Sequence, residues 1–148
     1  MRLSENFTLD EFTFSNTAVR KGIDNYPEIG VINNLKELCI NVLEPIRLKL
    51  GKPLQITSGY RSPALNKAIG GAKNSQHVEG KAADIKVSGM TTEELYQFCK
   101  VFVHDQVICE FPDSIGGGWV HISWNGINNR NQDLRAVKKN GKTVYLAG

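Results

Sequence analysis

An α+β fold, with a mainly antiparallel sheet and helices on one side, is what the sequence predicts, and three observations predict it. Apolar residues at Leu35, Leu38, Cys39, Val42, Leu43, Ile46 and Leu50 recur at the three-and-four spacing of an amphipathic helix, which sets one long helix between about Pro27 and Leu50. Gln106–Phe111 and Trp119–Trp124 are strand-like runs with Gly116-Gly117-Gly118 between them, the pattern of a hairpin. Helices group with short, mostly hairpin-connected strands, which is the α+β arrangement. A chain of 148 residues has room for one such domain, over 1–148.

Each element has its own local reason. Thr8-Leu9-Asp10-Glu11 has capping-box spacing, so a short helix starts there, with Leu9, Phe12 and Phe14 available to pack along one edge. The long helix follows, and Pro45 is expected to kink it. Leu54-Gln55-Ile56-Thr57 alternates like a strand. Ser62-Pro63-Ala64 through Ile69-Gly70-Gly71 then reads as N-cap, first-turn proline, short helix and glycine stop. Residues 71–80 are polar and punctuated by glycine, a loop leading into a strand at Ala82–Val87. Within that strand, alternation turns Ala83, Ile85 and Val87 to the core, so Asp84 faces the other way and opens onto a cleft. Thr91 and Glu94 form a second capping box, opening a helix through Leu95, Phe98, Cys99 and Phe102. After the hairpin, Lys142–Leu146 supplies one more edge strand behind the Asn140-Gly141 turn.

Composition narrows the function. Apolar residues make up 41% and charged residues 22%, which is neither a disordered nor a membrane composition. No apolar run approaches the roughly 18 residues of a spanning helix, so no membrane partner is expected. The N-terminus lacks the apolar stretch of a signal peptide, and nothing there marks the chain for export. A net charge of +3, scattered except between Arg135 and Lys142, does not call for nucleic acid. Cys39, Cys99 and Cys109 are widely spaced and odd in number, so they read as buried thiols in a reducing compartment rather than as disulfides or a thiolate metal site. A monomer is expected.

Three residues stand out for their chemistry. His77 lies in the loop before the Ala82–Val87 strand, Asp84 within that strand, and His121 inside the last hairpin strand between two tryptophans, where an unpaired imidazole would be costly. Two histidines and a carboxylate are ligands that zinc accepts, with a fourth position left for water. Each also has an ordinary reading: His77 as a surface residue, Asp84 as a turn partner or exposed charge. His104, beside Asp105, reads as a helix-end or surface histidine.

Ser75-Gln76-His77-Val78-Glu79-Gly80-Lys81-Ala82-Ala83-Asp84 resembles the S-x-H-x-x-G-x-A-x-D pattern of the zinc D-Ala-D-Ala carboxypeptidase family, whose fold is shared with the Hedgehog signalling domain. Ser58-Gly59-Tyr60-Arg61-Ser62 resembles the element that precedes the first ligand in that family, and Trp119-Val120-His121 its last ligand strand. The resemblance runs from about Leu54 to Trp124. The opening Phe7–Phe12 and Gly22–Asn25 also look like small phage and bacterial members. It implies a Hedgehog/DD-peptidase-like fold and one zinc ion held by His77, Asp84 and His121. By the same resemblance Arg61 faces the terminal carboxylate, or another anionic group, of a peptidoglycan stem peptide, a task that suits its planar fork. Ser75 either hydrogen-bonds substrate or caps its own loop.

One departure bears on catalysis. Many members place the general base three residues before the last histidine, where this chain has Gly118. A hairpin centred near Ile115 and Gly116 puts Glu110 opposite His121, roughly 5 Å away at Cβ and on the same face, so Glu110 becomes the expected base and Asp113 the reserve. A one-residue slip would reverse that face. The activity implied is zinc-dependent hydrolysis of peptidoglycan, carboxypeptidase-like, with a phage-type endolysin cutting between L-Ala and D-Glu as the alternative within the enzyme class. A zinc-stabilised peptidoglycan-binding module without turnover is the alternative outside it. The missing signal favours phage-like use, with the protein held in the cytoplasm until lysis.

Overall fold

A computed structural model describes all residues, Met1–Gly148. Six helices, α1 (Leu9–Thr13), α2 (Asn16–Lys21), α3 (Ile29–Leu38), α4 (Glu44–Leu50), α5 (Pro63–Ala68) and α6 (Thr92–Cys99), accompany six strands. The strands are β1 (Gln55–Ser58), β2 (Ala82–Lys86), β3 (Gln106–Glu110), β4 (Trp119–Ser123), β5 (Gln132–Lys139) and β6 (Lys142–Ala147). They form one sheet in the order β1-β2-β4-β3-β5-β6, in which only β3 and β5 run parallel. This is the α+β class that the sequence predicts.

Local chemistry explains the elements. Thr8 N–H donates to Glu11 Oε1 at 2.8 Å to open α1, and Leu9 and Phe12 are buried, whereas Phe14 lies past the last turn and is exposed. Thr91 and Glu94 cap each other at the start of α6. Ser62 Oγ accepts from Leu65 N–H at 3.1 Å, and Pro63 occupies the first turn of α5. The long helix is handled differently from a proline kink: α3 runs into α4 through a π-helical turn at Cys39–Leu43. Pro45 lacks an N–H and its ring would press on the Asn41 carbonyl, and a widened turn just before it relieves that clash. Two elements are absent from the sequence reading. Helix α2 is a single capped turn between Ser15 and Gly22, and β5 is a strand in what reads as a basic tail.

The sheet has two unlike faces. Ala83, Ile85, Val107, Cys109, Val120 and Ile122 join a cluster of 23 buried residues with side chains from α1, α3, the π turn, α4 and α6. Helices α2 and α5 contribute nothing to that cluster, nor do β5 and β6. The opposite face carries Asp84, His121 and Ile108 in one row across β2, β4 and β3, with Leu134 of β5 next in line. Cys39 and Cys99 sit in the cluster, and burial pushes both thiols up to about 12. No helix is long and apolar enough to cross a membrane.

Helix α1 reaches the site face through one close contact. A Cβ on Gly59 would lie 2.6 Å from Phe12 Cα and 2.7 Å from the Phe12 carbonyl, which itself accepts from Tyr60 N–H. Gly59→Ala is therefore expected to destabilise the protein by about 1–3 kcal/mol, the usual cost of overpacking against a fixed backbone. A urea unfolding midpoint indistinguishable from the parent's would show that α1 can move away freely.

Candidate metal centre

Antiparallel pairing sets the first half of the site. Asp84 and His121 are direct cross-strand partners on β2 and β4, and His121 Nδ1 lies 3.2 Å from Asp84 Oδ1. His77 arrives from the loop before β2, which is wound by short turns: Val78 N–H donates to Ser75 O and Gly80 N–H to His77 O before the chain enters the strand. His77 Nε2 is 3.3 Å from the same Asp84 oxygen. The donor atoms of the three residues all lie within 4.8 Å of one another.

The segment after β1 holds His77 from two sides. Arg61 N–H donates to the His77 carbonyl at 3.2 Å, and His77 Nδ1 lies 2.7 Å from the Gly59 carbonyl. A carbonyl can only accept, so Nδ1 carries a proton, and Nε2 is the ring atom turned towards Asp84. That is the second-sphere arrangement that orients metal-binding histidines. Two ring nitrogens and one carboxylate oxygen, with a cleft on the remaining side, fit zinc in a three-ligand site.

Electrostatics agree with the geometry. Asp84 is 4% exposed. Burial alone would push its carboxyl up, but the charges and hydrogen bonds of His77 and His121 hold it well below the usual carboxylate range. Arg61 leans on the same group, Nη2 to Asp84 Oδ2 at 3.5 Å, while its Nε donates to Ser58 Oγ at 3.3 Å. Its Nη1 has no hydrogen-bond partner within the protein, and Arg61 borders the cleft.

Glu110 faces the site by a route that differs from the expected pairing. His121 pairs with Ile108, and Glu110 pairs with Trp119. The offset is two residues, and an even offset keeps the face, so Glu110 stays on the side of His121. The Trp119 indole N–H donates to Glu110 Oε2, leaving Oε1 free in the cleft. Burial, and then the charge of Asp84, push the Glu110 carboxyl above its ordinary value, against His121, Trp119 and Arg61. A carboxylate at 118 is ruled out by the backbone: Gly118 has φ +72°, and a Cβ there would overlap the Glu110 and Phe111 carbonyl oxygens.

Other expectations are corrected or refined. Asp113 does not reach this cleft; it lies in the Phe111–Gly118 loop and borders a separate depression with Lys86 and Arg135. Ser75 Oγ accepts from His77 N–H at 3.2 Å, so it caps its own loop while also bordering the cleft. His104 is neither a helix-end nor a surface residue. It is buried five residues beyond α6, with Nε2 2.8 Å from Asp133 Oδ1. Its neighbour Asp105, fully buried, accepts from Arg130 Nη2 at 2.7 Å and from Gln76 Nε2 at 2.8 Å, tying the residue before His77 to the far end of the sheet. The Arg130 hydrogen bonds bring the Asp105 carboxyl down to about 2.

The cleft over these residues measures about 670 Å³. Arg61, Ser75 and the loop after α5 form one wall; Leu134, Lys138, Thr143 and Tyr145 of β5 and β6 form the other. No motif in the sequence pointed to that second wall.

Comparison with known proteins bears on this site. The sequence profile of the peptidase M15 family matches residues 5–123, which include the whole His77–Asp84–His121 constellation. A stretch of 44 residues is 43% identical to the zinc D-Ala-D-Ala carboxypeptidase of Streptomyces albus G, covering 29% of this chain and 17% of that protein.

Removing any one of three ligands leaves an under-filled site. His77→Ala, Asp84→Ala and His121→Ala are each expected to abolish stoichiometric zinc binding in a competition assay with a chromophoric chelator. His104→Ala should lower stability yet keep its zinc. Full zinc retention by His77→Ala would overturn the assignment.

Proposed function

The chain belongs to the peptidase M15 family, and from that premise we propose that it is a zinc-dependent hydrolase of peptide bonds in bacterial peptidoglycan, with His77, Asp84 and His121 holding one zinc ion. The convergence of these three donors beneath a cleft that also receives Glu110 is the observation that carries this reading. The matched stretch of a protein named zinc D-Ala-D-Ala carboxypeptidase supports the substrate class. Zinc bound there would polarise the scissile carbonyl and lower the pKa of a coordinated water towards about 7.

Glu110 is the general acid/base. Its Oε1 takes a proton from the attacking water and hands it to the leaving amine, while the Trp119 indole fixes the carboxylate through Oε2. A carboxyl raised by burial suits both halves of that exchange, because its protonated form is easier to reach than that of an exposed glutamate. Arg61 serves two groups: Nη2 steadies the outer oxygen of Asp84, and Nη1 is free to receive a substrate carboxylate. The substrate partners are stem peptides, and a carboxypeptidase-like cut at a D-Ala terminus is favoured over a cut between L-Ala and D-Glu by the name of the matched relative.

Digestion of purified wall with and without a chelator, followed by mass analysis of the fragments, tests metal, reaction and bond together. New amine termini that vanish on chelation are expected, and their position separates terminal D-Ala release from endopeptidase cleavage. Zinc-loaded protein that generates no new termini on any wall would leave a binding module instead.

Two substitutions test the assigned roles. Glu110→Gln should lower turnover by about a hundredfold to ten-thousandfold with zinc content and folding unchanged, the usual worth of a general acid/base. Activity within a few-fold of the parent would remove Glu110 from the chemistry. Arg61→Lys keeps the charge but loses the fork, so KM should rise while most of the zinc is retained; parental kinetics would make Arg61 structural only.

A further inference from the structure

The wall formed by β5 and β6 begins after residue 123, where the family match ends. Its register aligns it with the reacting groups. Glu110 pairs with Ala136 on β5, and Ala136 pairs with Tyr145 on β6, so Trp119, Glu110, Ala136 and Tyr145 form one row across the site face. Ala136 carries only a methyl group, so no long side chain of its own stands between Glu110 and Tyr145 along that row. Two strand spacings separate them, roughly 10 Å, which an extended peptide covers in about three residues. Lys138 lies two residues further along β5 on the same face, opposite Thr143.

Charge distinguishes Lys138 from the other cations of the cleft. Arg130 is committed to the buried Asp105 at 2.7 Å, and Arg61 contacts Asp84. The Lys138 ammonium donates to the neutral Thr143 hydroxyl at 3.0 Å and rests 5.4 Å from the centre of the Phe111 ring, with no carboxylate at ion-pair distance. Lys139 and Lys142, paired across the adjoining turn, add positive charge beside it. Tyr145 is exposed at the rim of the same cleft, and its phenol is raised by loss of solvent on its inner side and then by the charges of Glu110 and Asp84.

We propose that the β5–β6 hairpin forms a second anion subsite, in which the Lys138 ammonium and the Tyr145 hydroxyl receive a substrate carboxylate two or three residues from the scissile bond. This rests on the zinc-peptidase reading and extends it to selectivity. Stem peptides carry such carboxylates on D-glutamate and on diaminopimelate, and the subsite discriminates against chains in which that group is an amide.

The test uses the zinc-loaded full chain and the synthetic peptide L-Ala-γ-D-Glu-meso-diaminopimelyl-D-Ala-D-Ala. Two further peptides are amidated singly, one at the glutamyl carboxylate and one at the diaminopimelyl carboxylate. Hydrolysis and calorimetric binding are measured separately. In the parent, one of the two amidations is expected to weaken binding about five- to tenfold, the usual net worth of one hydrogen bond at a solvent-exposed rim, and the effect should shrink at high salt. Lys138→Gln should erase that difference, acting on KM far more than on kcat, and Lys138→Arg should restore it. Lys49→Gln, exposed on α4 and away from the cleft, is the control. If the peptide binds with Lys138 dependence but is not cut, the subsite stands and the peptidase reading falls. If it is cut with equal preference by parent and Lys138→Gln, the subsite is overturned and the peptidase reading stands. No binding and no turnover with any of the three peptides overturns both.

Discussion

Asp84 is an ionised carboxylate held almost out of reach of water, and much of the site face is arranged to make that tolerable. Burying such a charge costs several kcal/mol unless positive partners and hydrogen bonds surround it. Here the partners come from three separate parts of the chain. His121 comes from the facing strand, His77 from the preceding loop, and Arg61 from the segment after β1. Each delivery needs its own fixture: the β2–β4 register for His121, the Gly59 carbonyl for the His77 ring, and the Arg61 N–H bond to the same loop for both. A divalent cation held by His77, Asp84 and His121 would complete such a shell, because it would supply positive charge where the three donors converge.

The same logic explains why the candidate base comes from β3. The strand carrying His121 is entered through Gly118, whose left-handed backbone presses against the carbonyls of Glu110 and Phe111. That contact leaves no room for a side chain at 118, and it also fixes how β3 and β4 pair. With Ile108 opposite His121, the face that carries His121 receives Glu110 one step further on, beside Trp119. An offset of one residue would have turned Glu110 into the hydrophobic cluster. An offset of two changes its cross-strand partner and not its environment.

Much of the site was legible because its determinants are local. The motif around His77, the alternation through Asp84 and the aromatic strand around His121 all sit within short windows; alternation turns Asp84 to the cleft, and resemblance to a family pattern singles out the three as a ligand set. The amphipathic helix from α3 to α4 was legible for the same reason, whereas its π turn was not, because the need for it lies in one proline ring meeting one carbonyl. The strand β5 leaves no local signal, since Gln132–Lys139 is half-exposed and charged and its place beside β3 depends on residues far away in sequence. The burial of His104 has a related cause. It comes from Asp133 and the chain around it, which nothing near His104 announces.

That distant set of residues explains the one parallel pairing in the sheet. Leaving β4, the chain must turn back, and it is caught at the start of β3. Asp105, fully buried, accepts from the Arg130 N–H and side chain, Gln132 N–H donates to the Asp105 carbonyl, and Asn131 N–H donates to that of His104. Those bonds place residue 132 beside residue 106, so β5 sets out from the same end as β3 and has to run parallel to it. The pairing then brings Leu134, Ala136 and Lys138 to the face of Glu110, and β6 adds Thr143 and Tyr145 by folding back. Asp105 also receives the Gln76 amide. One buried carboxylate thus ties the loop of His77 to the strand that makes the opposite wall.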